Sequence, residues 1–94
     1  MSAIYKITYP NGKIYVGQDR ADSIAYFGSP NNGLIQNDFT REESRVFIVI
    51  KAILWESSTA TWEEINQKET EFILSLQSND PTMGYNRFPK YKKS

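Results

Sequence analysis

The chain contains no histidine and no cysteine. Any chemistry must therefore come from tyrosine, lysine, arginine, hydroxyl or carboxylate side chains. Thiolate nucleophiles, disulfides, cysteine-based zinc sites and the usual imidazole base are excluded. Two tyrosines, Tyr5 and Tyr15, sit in short β-branched and aromatic runs on either side of Pro10-Asn11-Gly12-Lys13. A phenol has a pKa of about 10, so it serves as a base only beside a cation or a metal-bound water. Lys13 in the turn is a candidate for that cation, and its alternative is an ordinary exposed turn lysine.

One carboxylate falls in an unexpected place. Trp62, Ile65, Phe72, Ile73 and Leu76 recur at helical spacing, in an arc roughly 100° wide. With Trp62 as zero, Glu69 lands inside that arc at about 340°, while Glu71 lands near 180°. A carboxylate on the core side of a helix is costly unless it is paired, hydrogen-bonded or bound to metal. The alternative is a marginal Glu with a buried stem and a hydrated head. A lone hard carboxylate with open coordination suits Mg²⁺, which keeps several waters and needs few protein ligands.

The elements that must position these groups are legible. Ala3–Tyr9 and Ile14–Gly17 read as strands, and Asn-Gly between them signals an antiparallel hairpin. A strict two-residue turn would set Tyr15 opposite Thr8 and send the two tyrosines to opposite faces. A shared site requires a longer connection or a bulge, and one of these is expected. Asp19–Pro30 reads as loop, and 31–39 holds a short helix around Leu34 and Ile35. Arg41–Arg45 extends or follows that helix. Val46–Trp55 is a long apolar run that its β-branched content favours as a central buried strand, although periodicity alone does not exclude a helix. Thr61 with Glu64 forms a capping-box pattern for the long helix, which Ser78-Asn79-Asp80-Pro81 ends. Met83–Asn86 is a return segment. The expected fold is α+β, a central three-stranded antiparallel sheet flanked by helices.

In order along the chain, Ala3-Ile4-Tyr5, Tyr15-Val16-Gly17, Tyr26-Phe27-Gly28-Ser29, Glu69 with Phe72-Ile73, and Gly84-Tyr85-Asn86 together resemble the GIY-YIG nuclease superfamily, in its small single-domain phage and bacterial form. The resemblance spans residues 3–86 and leaves 87–94 as a basic tail. It implies a DNA endonuclease that hydrolyses phosphodiester bonds with one divalent cation, Mg²⁺ or Mn²⁺, held by Glu69. It implies that Tyr5 activates water and that Tyr15 positions water or the scissile phosphate. Gly17 would let the chain pass close to the site. Asn86 would orient a phosphate or support the site by hydrogen bonding.

The chain departs from the family pattern in three respects, one being that it has no histidine, so members that use one near this site are poor templates. Ala3 stands where the name-giving glycine would be. The family's phosphate-holding arginine lies on a helix after the second motif, where this chain offers only Arg20, with Arg41 and Arg45 farther on. Arg20 is slightly favoured, and Arg45 would reach the site from the edge of the third strand.

Composition bounds the rest. The 94 residues suit one small domain. Eleven basic and eleven acidic residues give a formal net charge of zero, which mildly disfavours a strongly basic nucleic-acid surface. The charge is uneven: Glu56–Glu71 carries five acids and one lysine, while Asn86–Ser94 carries Arg87, Lys90, Lys92 and Lys93 and no acid. That tail would contact phosphates or lie solvated. No apolar run reaches the roughly 20 residues of a membrane span, and Met1–Lys6 lacks a signal-peptide core, so the expected setting is cytoplasmic. Three functions remain in view. They are an active nuclease, a DNA- or protein-binding module on the same fold, and a small domain whose Tyr and Glu are structural. With few surfaces for sequence readout, the chain would act with low specificity, as a homodimer, or with a separate specificity partner.

Overall fold

The computed structural model describes residues 1–20 and 28–92. Strand β1, Ser2–Thr8, runs into strand β2, Ile14–Asp19. Helix α1, Asn32–Asp38, and a 3₁₀ turn at Glu43–Arg45 precede strand β3, Ile50–Ser57. Helix α2, Trp62–Leu76, follows. The sheet is three-stranded and antiparallel, in the order β2-β1-β3, so the architecture is α+β as expected.

The hairpin loop is longer than two residues. Thr8 pairs with Ile14, and the Tyr9 amide donates to the Lys13 carbonyl at 2.9 Å. Pro10-Asn11-Gly12 thus forms a three-residue connection. Pro10 sits where a type I turn favours it, and Gly12 takes φ +87° to close a bulge. The Asn11 side chain accepts from the Lys13 amide at 3.0 Å. This sets Tyr15 opposite Ile7 and Gly17 opposite Tyr5, so both tyrosines share a face.

Val46–Trp55 departs from the expected central strand. The central position belongs to β1, and β3 begins only at Ile50, on the edge. The run is apolar without being buried on both sides. Val49 packs against the tyrosine core, and Phe47, still 39% exposed, packs edge-on against Phe39 with centroids 4.9 Å apart. Val46, Ile48 and Ile50 are exposed, an alternation that continuous hydrophobicity conceals.

Two cores lie on the two faces. Ile4 and Val16 meet Ile65 and Ile73 of α2, with Phe72 and Leu76 beside them. Tyr5, Ile7, Tyr9 and Tyr85 form the other, against Leu34 and Ile35 of α1 and against Phe39. Helix α2 starts on the expected capping box: Thr61 Oγ1 accepts from the Glu64 amide, and the Glu64 carboxylate accepts from the Thr61 amide. It ends at Gln77, in the left-handed region at φ 58°. Trp62, placed on the apolar arc by spacing, is 67% exposed, with the Arg20 side chain stacked on its ring.

The outer edge of β2 is covered. The Ile14 amide donates to the Met83 carbonyl, and the Tyr85 amide donates to the Ile14 carbonyl. Among the described residues no strand lies along the outer edge of β3. Among the described residues no helix is long and apolar enough to cross a membrane.

Candidate active site

Tyr5 is fully buried in the middle of the central strand. Its ring centroid lies 6.4 Å from that of Tyr15 on β2, tilted by 51°. Gly17, on the same face, is required by the contact: a Cβ there would sit 2.5 Å from the Tyr5 hydroxyl and 2.9 Å from Tyr15 Cε2. Gly28 closes over the pair from the other side. It adopts φ +77°, and a Cβ on it would collide with the Tyr5 hydroxyl and with Tyr15. The Ser29 amide donates to the Tyr15 hydroxyl at 3.1 Å. Of the Tyr26–Ser29 motif, Gly28 and Ser29 thus touch the tyrosine pair, while Tyr26 and Phe27 lie outside the described residues. The loop reading for 19–30 also falls largely outside them.

The cation beside Tyr5 is not Lys13. Lys13 Nζ pairs with Asp38 Oδ2 at 2.5 Å, and Asp38 also accepts from the Tyr85 hydroxyl at 2.8 Å. Asn11 donates to that same hydroxyl at 2.9 Å. Lys13 therefore serves a network that ties the turn to α1 and the return segment. Its ammonium, through hydrogen bonding, holds the Asp38 carboxyl below the usual carboxylate range. Burial pushes the Tyr85 phenol up to about 12, and burial with the nearby Tyr15 does the same for Tyr9. Lys51 of β3 takes the place expected of Lys13, with Nζ 4.5 Å from the Tyr5 ring centroid. Its signal in the sequence is a single charge inside the apolar run 46–55.

Glu69 is half-buried and belongs to the opposite face. Residues 16 and 18 of β2 point there, toward α2. Burial raises the Glu69 carboxyl above the usual range, opposed by a hydrogen bond from Gln18 and by the charge of Arg20. Gln18 Nε2 also donates to Asn66 Oδ1 at 2.9 Å. Arg20 donates to Gln18 Oε1 at 2.5 Å and stacks on the Trp62 ring. Its Nε is buried and has no hydrogen-bond partner among the described residues. Arg20 is thus the arginine beside Glu69. Arg45 ends the exposed 3₁₀ turn, and Arg41 lines a shallow pocket of about 350 Å³ with Phe39 and Phe47.

Asn86 acts on the backbone. Its Oδ1 accepts from the Val16 amide and its Nδ2 donates to the Val16 carbonyl, both at 2.8 Å. It completes the covered edge of β2 midway between Tyr15 and Gly17. The structure thus brings Tyr5, Tyr15 and Gly17 together on one face. It gathers Arg20 and Glu69 on the other, with Asn86 against the strand between them. Comparison with family models, with curated proteins and with solved structures gave no match.

Proposed function

We propose that the chain is a metal-dependent DNA endonuclease of the GIY-YIG kind. The observation that carries this reading is the parity of the hairpin. A three-residue loop puts Tyr5, Tyr15 and Gly17 on one face, which a tyrosine-dependent hydrolysis needs and which a two-residue loop would deny.

Glu69 is the residue that would hold the cation. Among the described residues no three acids cluster. A single carboxylate with a water-rich shell would suit Mg²⁺, which needs few protein ligands. Burial raises the affinity of Glu69 for a proton, and a cation bound there would oppose that rise. When bound, the cation would neutralise phosphate oxygens. Tyr5 takes the proton from the attacking water, Tyr15 orients that water or the phosphate, and Arg20 holds phosphate charge beside Glu69. Asn86 keeps the strand between them in register.

Two observations favour the alternative, a binding module without turnover. Tyr5 has no exposed surface, and Glu69 lies across the sheet from it. The deciding experiment is nicking of supercoiled plasmid with Mg²⁺ and with Mn²⁺, wild type against Glu69→Ala. The nuclease reading expects metal-dependent nicking that falls by about 10³-fold in the variant, with Tyr5→Phe falling comparably. Wild type that binds DNA, branched DNA included, without cutting would establish the binding module. Nicking that survives in Glu69→Ala would remove Glu69 from the site.

A further inference from the structure

Lys51 is the sole charge in the run Val46–Trp55, and the fold does not leave it at the surface. It pairs opposite Ile7 on the face that carries Tyr5. Asp19 pairs opposite Ala3 on the same face, from the other flanking strand. Lys51 Nζ and Asp19 Oδ2 lie 3.7 Å apart, with side chains only 14% and 7% exposed. The lysine therefore crosses the central strand diagonally, from the level of Ile7 to that of Ala3. The Tyr5 ring lies under its ammonium at 4.5 Å.

We infer that Lys51, held in place by Asp19, is a positioning residue that sets the pH at which Tyr5 ionises. An ammonium over a phenol ring is attracted to the ring face. Ionisation spreads negative charge into the ring, so the same ammonium stabilises the phenolate more than the phenol. Asp19 fixes the cation over the ring and offsets part of its charge. The other titratable groups facing Tyr5, among the described residues, are Tyr15 from β2, Tyr9 farther along β1, and Tyr85 from the return segment. All three are neutral below their own ionisation. Gly28 faces Tyr5 through its backbone. The use of this effect to make Tyr5 a base rests on the nuclease reading. The effect itself does not.

The test is the pH titration of tyrosine Cζ carbons by NMR in the intact chain without DNA, with the Tyr5 signal assigned through Tyr5→Phe. Lys51→Met should raise the Tyr5 midpoint by about one pH unit or more. Asp19→Asn should lower it by less. Lys51→Arg, which keeps the charge and guards against a loss of packing, should leave it near wild type. A midpoint that stays within 0.3 units (roughly the scatter of such titrations) in Lys51→Met and Asp19→Asn alike overturns the inference, as does a Tyr5 that resists ionisation up to alkaline unfolding in both wild type and Asp19→Asn. Nicking assays separate the two claims. If Lys51→Met moves both the Tyr5 midpoint and the ascending limb of the nicking profile, both claims stand. If the midpoint moves but no form of the chain nicks DNA, the inference stands and the nuclease reading falls.

Discussion

The two faces of the sheet are finished in opposite ways. On the tyrosine face, contacts around Tyr5 are close: Gly17 and Gly28 exist there because nothing larger fits against its hydroxyl. On the helix face, Glu69 is desolvated in part, Arg20 lies on an exposed tryptophan, and its Nε has no hydrogen-bond partner among the described residues. The first face holds the Lys51–Asp19 pair in close packing around Tyr5. The second holds polar groups whose burial is unfavourable by itself, which is where function is commonly bought at the expense of stability.

That contrast is open to direct attack. The largest effect is expected at Gly28→Ala and Gly17→Ala. Each drives a methyl group into the fully buried Tyr5 ring and the partly buried Tyr15 ring, and Gly28 adds backbone strain at φ +77°. A loss of about 2–4 kcal/mol in urea unfolding is expected for each. Asn86→Ala comes next. It strips two hydrogen bonds from the Val16 backbone and should cost about 2 kcal/mol, read by the same unfolding curves and by faster amide exchange at Val16. Tyr85→Phe leaves Asn11 and Asp38 without their shared hydroxyl and should cost about 1–2 kcal/mol.

The smallest effect has the opposite sign. Glu69 has a raised carboxyl pKa in the folded state, so the folded chain binds its proton more tightly than the unfolded chain does. Its contribution is favourable below the unfolded value of about 4.3 and is lost as pH rises through the folded value. Glu69→Gln should therefore raise Tm at pH 7 by a few degrees at most, with the gain gone at pH 3. A Glu69→Gln variant less stable than wild type at pH 7 would make this face structural after all.

Much of this was legible in the sequence, for local reasons. The capping box at Thr61 and the turn at Asn11-Gly12 depend on residues within a few positions of one another, and both formed as read. The parity argument worked because side chains alternate with a period of two, so one added loop residue decides which face Tyr15 takes. Glu69 could be placed from helical spacing alone. Trp62 could not, because spacing gives the direction of a side chain and not what covers it. The run 46–55 misled because an apolar segment with one uncovered side has the same composition as a buried one. Lys51 and Asp19 were invisible for a related reason: their meeting depends on three strands being in register, which no local pattern encodes.

The strand order has a consequence during synthesis. The central strand, β1, is made first, and its second neighbour, β3, ends at Ser57. At ribosomal rates of 5–20 residues per second, β1 waits roughly 2–10 s for that neighbour. For that interval only the hairpin can form, and an isolated hairpin is marginally stable at best. Ile4, Tyr5 and Ile7 are then exposed on a half-paired strand, available to holding chaperones or to another nascent chain. That exposure ends only when residues 50–57 arrive to pair with β1.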